Sequence, residues 1–307
     1  MATTRVVGCC GLIAVLALCS CFPFVARQPR PPPFFFSGDG TLTLTNAHFE
    51  ETIDVRYRTP QGRYDSVALE QIAHVFRSTD NQKHAVSLRL VELLAYIQQE
   101  FKPNQMLIVS GYRSPDYNAT LAGAAQTSLH TQGLAADVMF KRIDLIDLWN
   151  ALREREVGGV GSYEDDGYLH IDVGPPRFWE KQTSRVGENL SAGNARVFAR
   201  TPIDRYASLE ISRVEIHSVT LFPLRIERTA ALAGYPDAMV HLERFYSDGE
   251  CIEIAKQRPQ HFVYIKYIEN MPQTRGKRTR LLLSTCEPRL GQTPEVIESN
   301  EIEIGTW

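Results

Sequence analysis

The chain has 307 residues, 43% of them hydrophobic, which supplies a packed core and is long enough for two domains. Its 33 Lys and Arg stand against 36 Asp and Glu, a net charge of −3, so it lacks the basic excess of a nucleic-acid binder. The composition equally excludes bulk disorder.

Residues 1–26 read as an export signal. Arg5 supplies a positive start, and an apolar run over 6–18 follows that is shorter than the ~20 residues of a membrane span. The run ends Leu18-Cys19-Ser20-Cys21, the form of a bacterial lipoprotein cleavage site. Two outcomes stay open: a lipid tether on Cys21, or plain cleavage or an uncleaved anchor. Either places the protein in the periplasm or cell envelope. Cys9, Cys10, Cys19 and Cys21 lie in this segment. Cys251 and Cys286 remain, as a candidate disulfide or as two separate buried thiols.

Residues 27–37 include Gln-Pro-Arg-Pro-Pro-Pro, a stiff extended stalk, and three Phe that are expected to pack on the domain. Residues 41–44 and 53–57 alternate as strands. Ser66 is placed to cap a helix through 77, and 87–101 forms a second amphipathic helix. A buried strand over 106–110 and another over 134–140 follow, then a helix over 143–153. Residues 157–163 and 168–173 read as paired strands across a Glu164-Asp165-Asp166-Gly167 turn. This gives an α+β domain over 38–180. Residues 181–204 read as a linker. From 205 to 307 the segments are short and strand-like, at 210–216, 219–224, 239–245, 261–268 and 280–284, giving a smaller mostly-β domain. Arg275 to Arg280 make a basic turn, and 295–303 is an acidic stretch.

The chemistry concentrates in Ser128-Leu-His130-Thr-Gln-Gly133-Leu-Ala-Ala-Asp137 and His170-Ile-Asp172. A hydrolytic zinc site needs three N or O ligands and one open position. Gly133 lets the chain reverse between His130 and Asp137, so both return to one place. On a strand, Tyr168, His170 and Asp172 share a face. His170 suits a third ligand, and Asp172 suits either a general base or a residue that orients His170. His48, His74, His84, His217, His241 and His261 have no such pattern and are assigned no role.

The pattern Ser-x-His-x-x-Gly-x-Ala-x-Asp with a later His resembles the zinc site of the D-Ala-D-Ala metallopeptidase and hedgehog-like group. Ser110-Gly111-Tyr112-Arg113-Ser114, Gly158-Gly159-Val160-Gly161-x-Tyr163 and His170-Ile-Asp172-x-Gly174-Pro-x-Arg177-x-Trp179 surround it. In this order they resemble the MepK-like murein endopeptidases over about 40–180, and Arg63-Tyr64 with Val75-Phe76-Arg77 is similar too. The resemblance implies zinc held by His130, Asp137 and His170 in a hedgehog/DD-peptidase-like domain. It implies that Arg113 contacts substrate near the reacting carbonyl; a structural ion pair is the alternative. Relatives that cut D-Ala-D-Ala carry a Glu three residues before the last His, where this chain has Gly167. Asp172 is therefore the candidate base, with Asp166 and Asp165 as fallback. Tyr112, Tyr163, Tyr168 and Trp179 either line a cleft or pack the core.

The expected function is zinc-dependent hydrolysis of peptide cross-links in peptidoglycan, during cell-wall remodelling. The expected partners are peptide stems and an envelope protein met by the second domain. A non-catalytic zinc-containing binding protein and a stem-peptide carboxypeptidase are the alternatives.

Overall fold

The computed structural model describes residues 31–121, 128–181, 197–206, 211–218, 224–244, 249–254, 261–271, 276–288 and 293–304. The export signal, Cys21 and the start of the stalk lie outside the described residues.

The alternating segments near the start pair as a hairpin, β1 (Thr41–Asn46) with β2 (Thr52–Arg56). Helix α1 (Ser66–Val75) follows, and then α2 (Leu88–Phe101). Ser66 is not the cap of α1. Asp65, one residue earlier, accepts from the Val67 and Ala68 N–H groups at 2.8 and 3.1 Å. A carboxylate there also meets the positive end of the helix dipole, which a hydroxyl does not. Helix α2 ends at Lys102 in the left-handed region (φ 51°) just before Pro103, which cannot continue it.

β3 (Gln105–Ser110) runs parallel to β1. It leads to α3 (Pro115–Thr120), six residues capped by the Ser114 hydroxyl and too short for a periodic signal. β4 (Ala135–Lys141), α4 (Leu145–Glu154), β5 (Gly159–Tyr163), β6 (Tyr168–Asp172) and β7 (Arg177–Glu180) complete the region. The mixed sheet has the order β2-β1-β3-β4-β6-β5-β7. This is the expected α+β arrangement, and its two central neighbours β4 and β6 carry two of the three candidate ligands, Asp137 and His170.

One hydrophobic cluster packs the helices on this sheet, with Leu44, Ile72, Leu94, Ile108, Val138 and Ile171 essentially inaccessible. Each such side chain contributes roughly 1.5–3 kcal/mol through burial. Glu92 of α2 is 0% exposed within that cluster. It accepts from Tyr57 Oη at 2.7 Å, Tyr64 Oη at 2.9 Å and Arg58 Nε at 2.6 Å, which is what makes a buried carboxylate tolerable.

A second cluster gathers apolar residues from Val197 to Ile304. Its strands are β8 (Val197–Arg200), β9 (Arg205–Tyr206), β10 (Arg213–Ser218), β11 (Leu224–Leu232), β12 (Tyr235–Glu243), β13 (Cys251–Ile254) and β14 (His261–Glu269). They continue with β15 (Lys277–Thr279), β16 (Leu281–Thr285), β17 (Val296–Glu298) and β18 (Ile302–Ile304). The larger sheet runs β17-β16-β11-β12-β14-β10-β8, with β13 on β11, and a small sheet runs β15-β18-β9.

Several expectations change here. The linker over 181–204 contains β8, all four of whose residues are buried and paired to β10. Of the strand expected over 219–224, residues 219–223 lie outside the described residues, and Leu224 opens the long β11 instead. The basic turn and the acidic stretch are strands that meet. Arg278 lies opposite Glu303 across β15 and β18 and pairs with Glu301 at 2.9 Å. The charge of Arg278 is thus matched within the chain. Cys251 and Cys286 form a disulfide.

The end of the stalk is fastened down rather than free. Prolines give up their N–H but keep a carbonyl, and Pro33 O accepts from the Asp204 and Arg205 N–H groups at 2.8 and 3.0 Å. Phe34 is 4% exposed, and Phe35 lies between the guanidinium groups of Arg205 and Arg278 at 4.9 and 4.5 Å.

Candidate metal centre

The Ser128-Leu-His130 word folds as a 3-10 turn, Leu129–Gln132. Ser128 Oγ accepts from the His130 N–H at 3.3 Å and so holds the loop that presents His130. Gly133 ends the turn at φ 68°, and a Cβ there would lie 2.2 Å from the Ala85 carbonyl oxygen. Only glycine fits on both counts. The chain then enters β4, where Asp137 sits directly opposite His170 of β6. Two antiparallel strands and one tight turn therefore bring the three residues together.

Their ligand atoms all lie within 4.8 Å of one another, and all three residues are buried. His130 Nδ1 lies 2.7 Å from the Gly111 carbonyl oxygen. A carbonyl only accepts, so Nδ1 carries the proton and Nε2 keeps its lone pair for the cluster. That Nε2 is 3.3 Å from Asp137 Oδ1 and 3.2 Å from His170 Nδ1. His170 Nδ1 is 2.9 Å from Asp137 Oδ1, while its Nε2 faces the other way, 3.0 Å from Asp172 Oδ2. Two imidazole nitrogens and one carboxylate oxygen, each with a partner behind it, are a donor set that fits zinc.

Asp172 is completely buried. Its Oδ1 accepts from the Gly159 and Gly174 N–H groups at 3.1 and 2.7 Å, and its Oδ2 accepts from Arg177 Nη2 at 2.7 Å as well as facing His170. It stands on the far side of the His170 ring from the ligand cluster. This placement suits the orienting role. The words around the site are explained by space. A Cβ on Gly159 would lie 2.2 Å from Asp172 Oδ2, and one on Gly161 would lie 2.4 Å from the Trp179 ring. Trp179 in turn packs 5.1 Å from the His170 ring and donates from Nε1 to Tyr163 Oη at 3.2 Å.

Arg113 donates from Nη2 to Asp137 Oδ2 at 2.6 Å and from Nε to Ser110 Oγ at 2.8 Å. It thus holds the Asp137 oxygen that the histidines do not use, the ion-pair alternative for this residue. Of the fallback carboxylates, Asp166 pairs with Lys181 at 2.9 Å with its side chain 42% exposed, and Asp165 is exposed beside it. Tyr112 is buried, whereas Tyr163 and Tyr168 stack at 4.7 Å on the half-buried side. Two residues gained importance only in the structure. Arg177 closes the His170–Asp172 chain, and its signal was its place in the same word. His84 stacks on Tyr112 at 5.0 Å, and no local spacing announces that contact.

Charge follows geometry. Burial pushes the His130 imidazolium down further than Asp137 raises it. Burial would also lower His170, but its hydrogen bonds to Asp137 and Asp172 raise it to about 9. Asp137 stays well below the ordinary carboxylate range: burial opposes this, and the two histidines overcome it. Asp172 is likewise held low against burial by Arg177 and His170.

Comparison with known proteins points to the same region. The family model described as peptidoglycan L,D-endopeptidase MepK matches residues 37–179. The peptidoglycan L,D-endopeptidase MepK of Escherichia coli K12 is 35% identical over 146 residues, 45% of this chain and 79% of that relative. The probable peptidoglycan L,D-endopeptidase MepK of Haemophilus influenzae is 27% identical over 146 residues, 45% of this chain and 78% of that relative. No solved structure matches the chain significantly.

Proposed function

We propose that this chain, which belongs to the peptidoglycan L,D-endopeptidase MepK family, hydrolyses L,D peptide cross-links of peptidoglycan at a zinc centre formed by His130, Asp137 and His170. The observation that carries the reading is the buried His130–Asp137–His170 cluster inside the region that matches the family. A zinc ion bound there supplies a Lewis acid that polarises an amide carbonyl and makes a water acidic. Every other role belongs to the chain. The Gly111 carbonyl fixes the tautomer of His130, Asp172 and Arg177 fix the ring of His170, and Arg113 fixes Asp137. Arg113 is 18% exposed at its side chain, so it also presents a cation beside the cluster for a substrate carbonyl or carboxylate.

We assign Asp172 to orienting His170 rather than to proton transfer, because both its oxygens are occupied and sealed from solvent. The half-buried pair Tyr163 and Tyr168 with Trp179 is the wall we assign to the peptide stem. The export signal and this substrate class support a place in the cell envelope. Residues 38–180 are the catalytic domain of this reading, and the strands from β8 at Val197 to β18 at Ile304 form a second, β-rich domain.

The test is metal content together with cleavage of a defined L,D-cross-linked muropeptide dimer. The reading predicts one bound zinc per chain, with cleavage abolished by chelator and both properties lost in His130→Ala. Zinc-dependent cleavage by His130→Ala would overturn the ligand assignment. Release of terminal residues alone would make the protein a carboxypeptidase.

A further inference from the structure

The peptide unit between Val173 and Gly174 follows β6 directly, and both of its polar groups are committed. Its N–H, on Gly174, donates to Asp172 Oδ1 at 2.7 Å. Its carbonyl, on Val173, accepts from Arg200 Nη1 of β8 at 2.6 Å. The unit is planar, so fixing its oxygen also fixes the direction of its N–H. A guanidinium on the oxygen further polarises the unit and makes the N–H a stronger donor. Asp172 Oδ2 in turn faces His170 Nε2 at 3.0 Å. An unbroken line of polar contacts therefore runs from β8 through one peptide and one carboxylate to a ring of the proposed metal centre. The fit around that peptide is tight: a Cβ on Gly174 would lie 2.8 Å from Leu129 Cδ1 and 2.9 Å from Asp172 Oδ1.

Arg200 is itself fixed. It is 5% exposed, on a strand paired to β10, and its guanidinium lies 5.1 Å from the Phe198 ring. The chain just after it is held from two sides. Arg89 of α2 donates to the Thr201 carbonyl at 3.1 Å and to Asp204 at 2.6 Å, and Asn300 accepts from the Thr201 N–H at 2.8 Å. We propose that Arg200 is a positioning residue for the metal centre, so that the β-rich domain braces the His170 side of the site. The inference rests on the zinc reading above and gives the second domain a part in it. Burial, and then Arg89, push the Arg200 guanidinium down to about 9, while Asp204, Asp172 and Glu215 hold it up, so it is charged at neutral pH.

The test is the zinc affinity of the full chain, read by competition with a chromophoric chelator. It is measured for the wild type, Arg200→Met, Asp172→Asn and the double variant. Arg200→Met is expected to weaken zinc about tenfold, the low end for a group behind a ligand. In the Asp172→Asn background the same change is expected to cost less than about twofold, because the line is already cut. Arg200→Lys keeps the charge but not the fork and is expected to fall between; it carries the cycle if Arg200→Met does not fold. An arginine that only stabilises the fold would lower the unfolding midpoint and leave the affinity unchanged, or add its full loss to that of Asp172→Asn; either result overturns the proposal. The wild type gives an independent reading. Coupling is reciprocal, so zinc is expected to slow amide hydrogen exchange in β8, which carries no ligand. Unchanged exchange there would also overturn it. A wild type that binds no zinc would overturn the metal reading itself, a result distinct from zinc bound with Arg200 indifferent.

Discussion

His170 is where the electrostatics of the proposed metal centre converge, with a carboxylate against each ring nitrogen. Its folded value of about 9 lies above the ordinary 6.5, so without metal it is protonated at neutral pH. In the metal-free protein that bonus to stability is complete below pH 6.5 and is lost as pH rises through about 9. His130, pushed the other way, stays neutral across this window, and both aspartates are ionised. A metal must therefore displace the His170 proton. Zinc binding near pH 7 is expected to release about one proton per ion and to tighten as pH rises toward 9. Calorimetry in buffers of different ionisation enthalpy reads this, and an affinity flat between pH 6 and 8 would contradict it. Asp172→Asn should weaken zinc about 10–100-fold in the same assay, since it disturbs the group behind a ligand. That His130, Asp137 and His170 gather in one cluster was legible in the ordered words that carry the family resemblance. The partner of Arg113 was not, because an arginine side chain reaches across the fold to a residue 24 positions away.

At the scale of elements, β5 and β6 work as a pair. Gly161 lies opposite His170 in their register, and the missing side chain at 161 is the room that Trp179 fills from β7. Gly161→Ala should push the indole away from His170 and cost about 1–3 kcal/mol, as overpacking does. Denaturant unfolding measures it, and an unchanged midpoint would show that Trp179 yields freely. Long periodic elements such as α2, and alternating ones such as β1 and β2, could be read directly from the chain. Helix α3 and the turn bearing His130 could not, since six and four residues fix no period. Strand β8 was hidden for another reason: its Arg200 sits in a polar-looking stretch, and only pairing with β10 buries it.

The whole molecule is joined by contacts that no local pattern announces. Arg89 of α2 reaches Asp204, Arg200 reaches the Val173 carbonyl behind β6, and residues 32–35 clasp β9. The fastened stalk was expected to be a spacer because proline content signals stiffness but not what the carbonyls will meet. The disulfide joins β13 to the chain just after β16, both paired to β11, across a separation of 35 residues. Removing it by Cys251→Ser with Cys286→Ser should lower stability by roughly 3–4 kcal/mol on the chain-entropy argument. Chemical denaturation checks it, and an unshifted transition would place the strain of the bridge equal to its benefit.

Cleavage of peptidoglycan cross-links at this centre is the proposed activity on which the roles of all these residues depend. Its most direct test is mass-spectrometric muropeptide analysis of purified sacculi incubated with the zinc-loaded protein. Parallel samples contain chelator or the His130→Ala variant. Zinc-dependent conversion of cross-linked dimers to monomers is expected, with product masses that mark an L,D bond, and no conversion in either control. Folded, zinc-loaded protein that leaves every muropeptide unchanged would contradict it and point to a binding role instead.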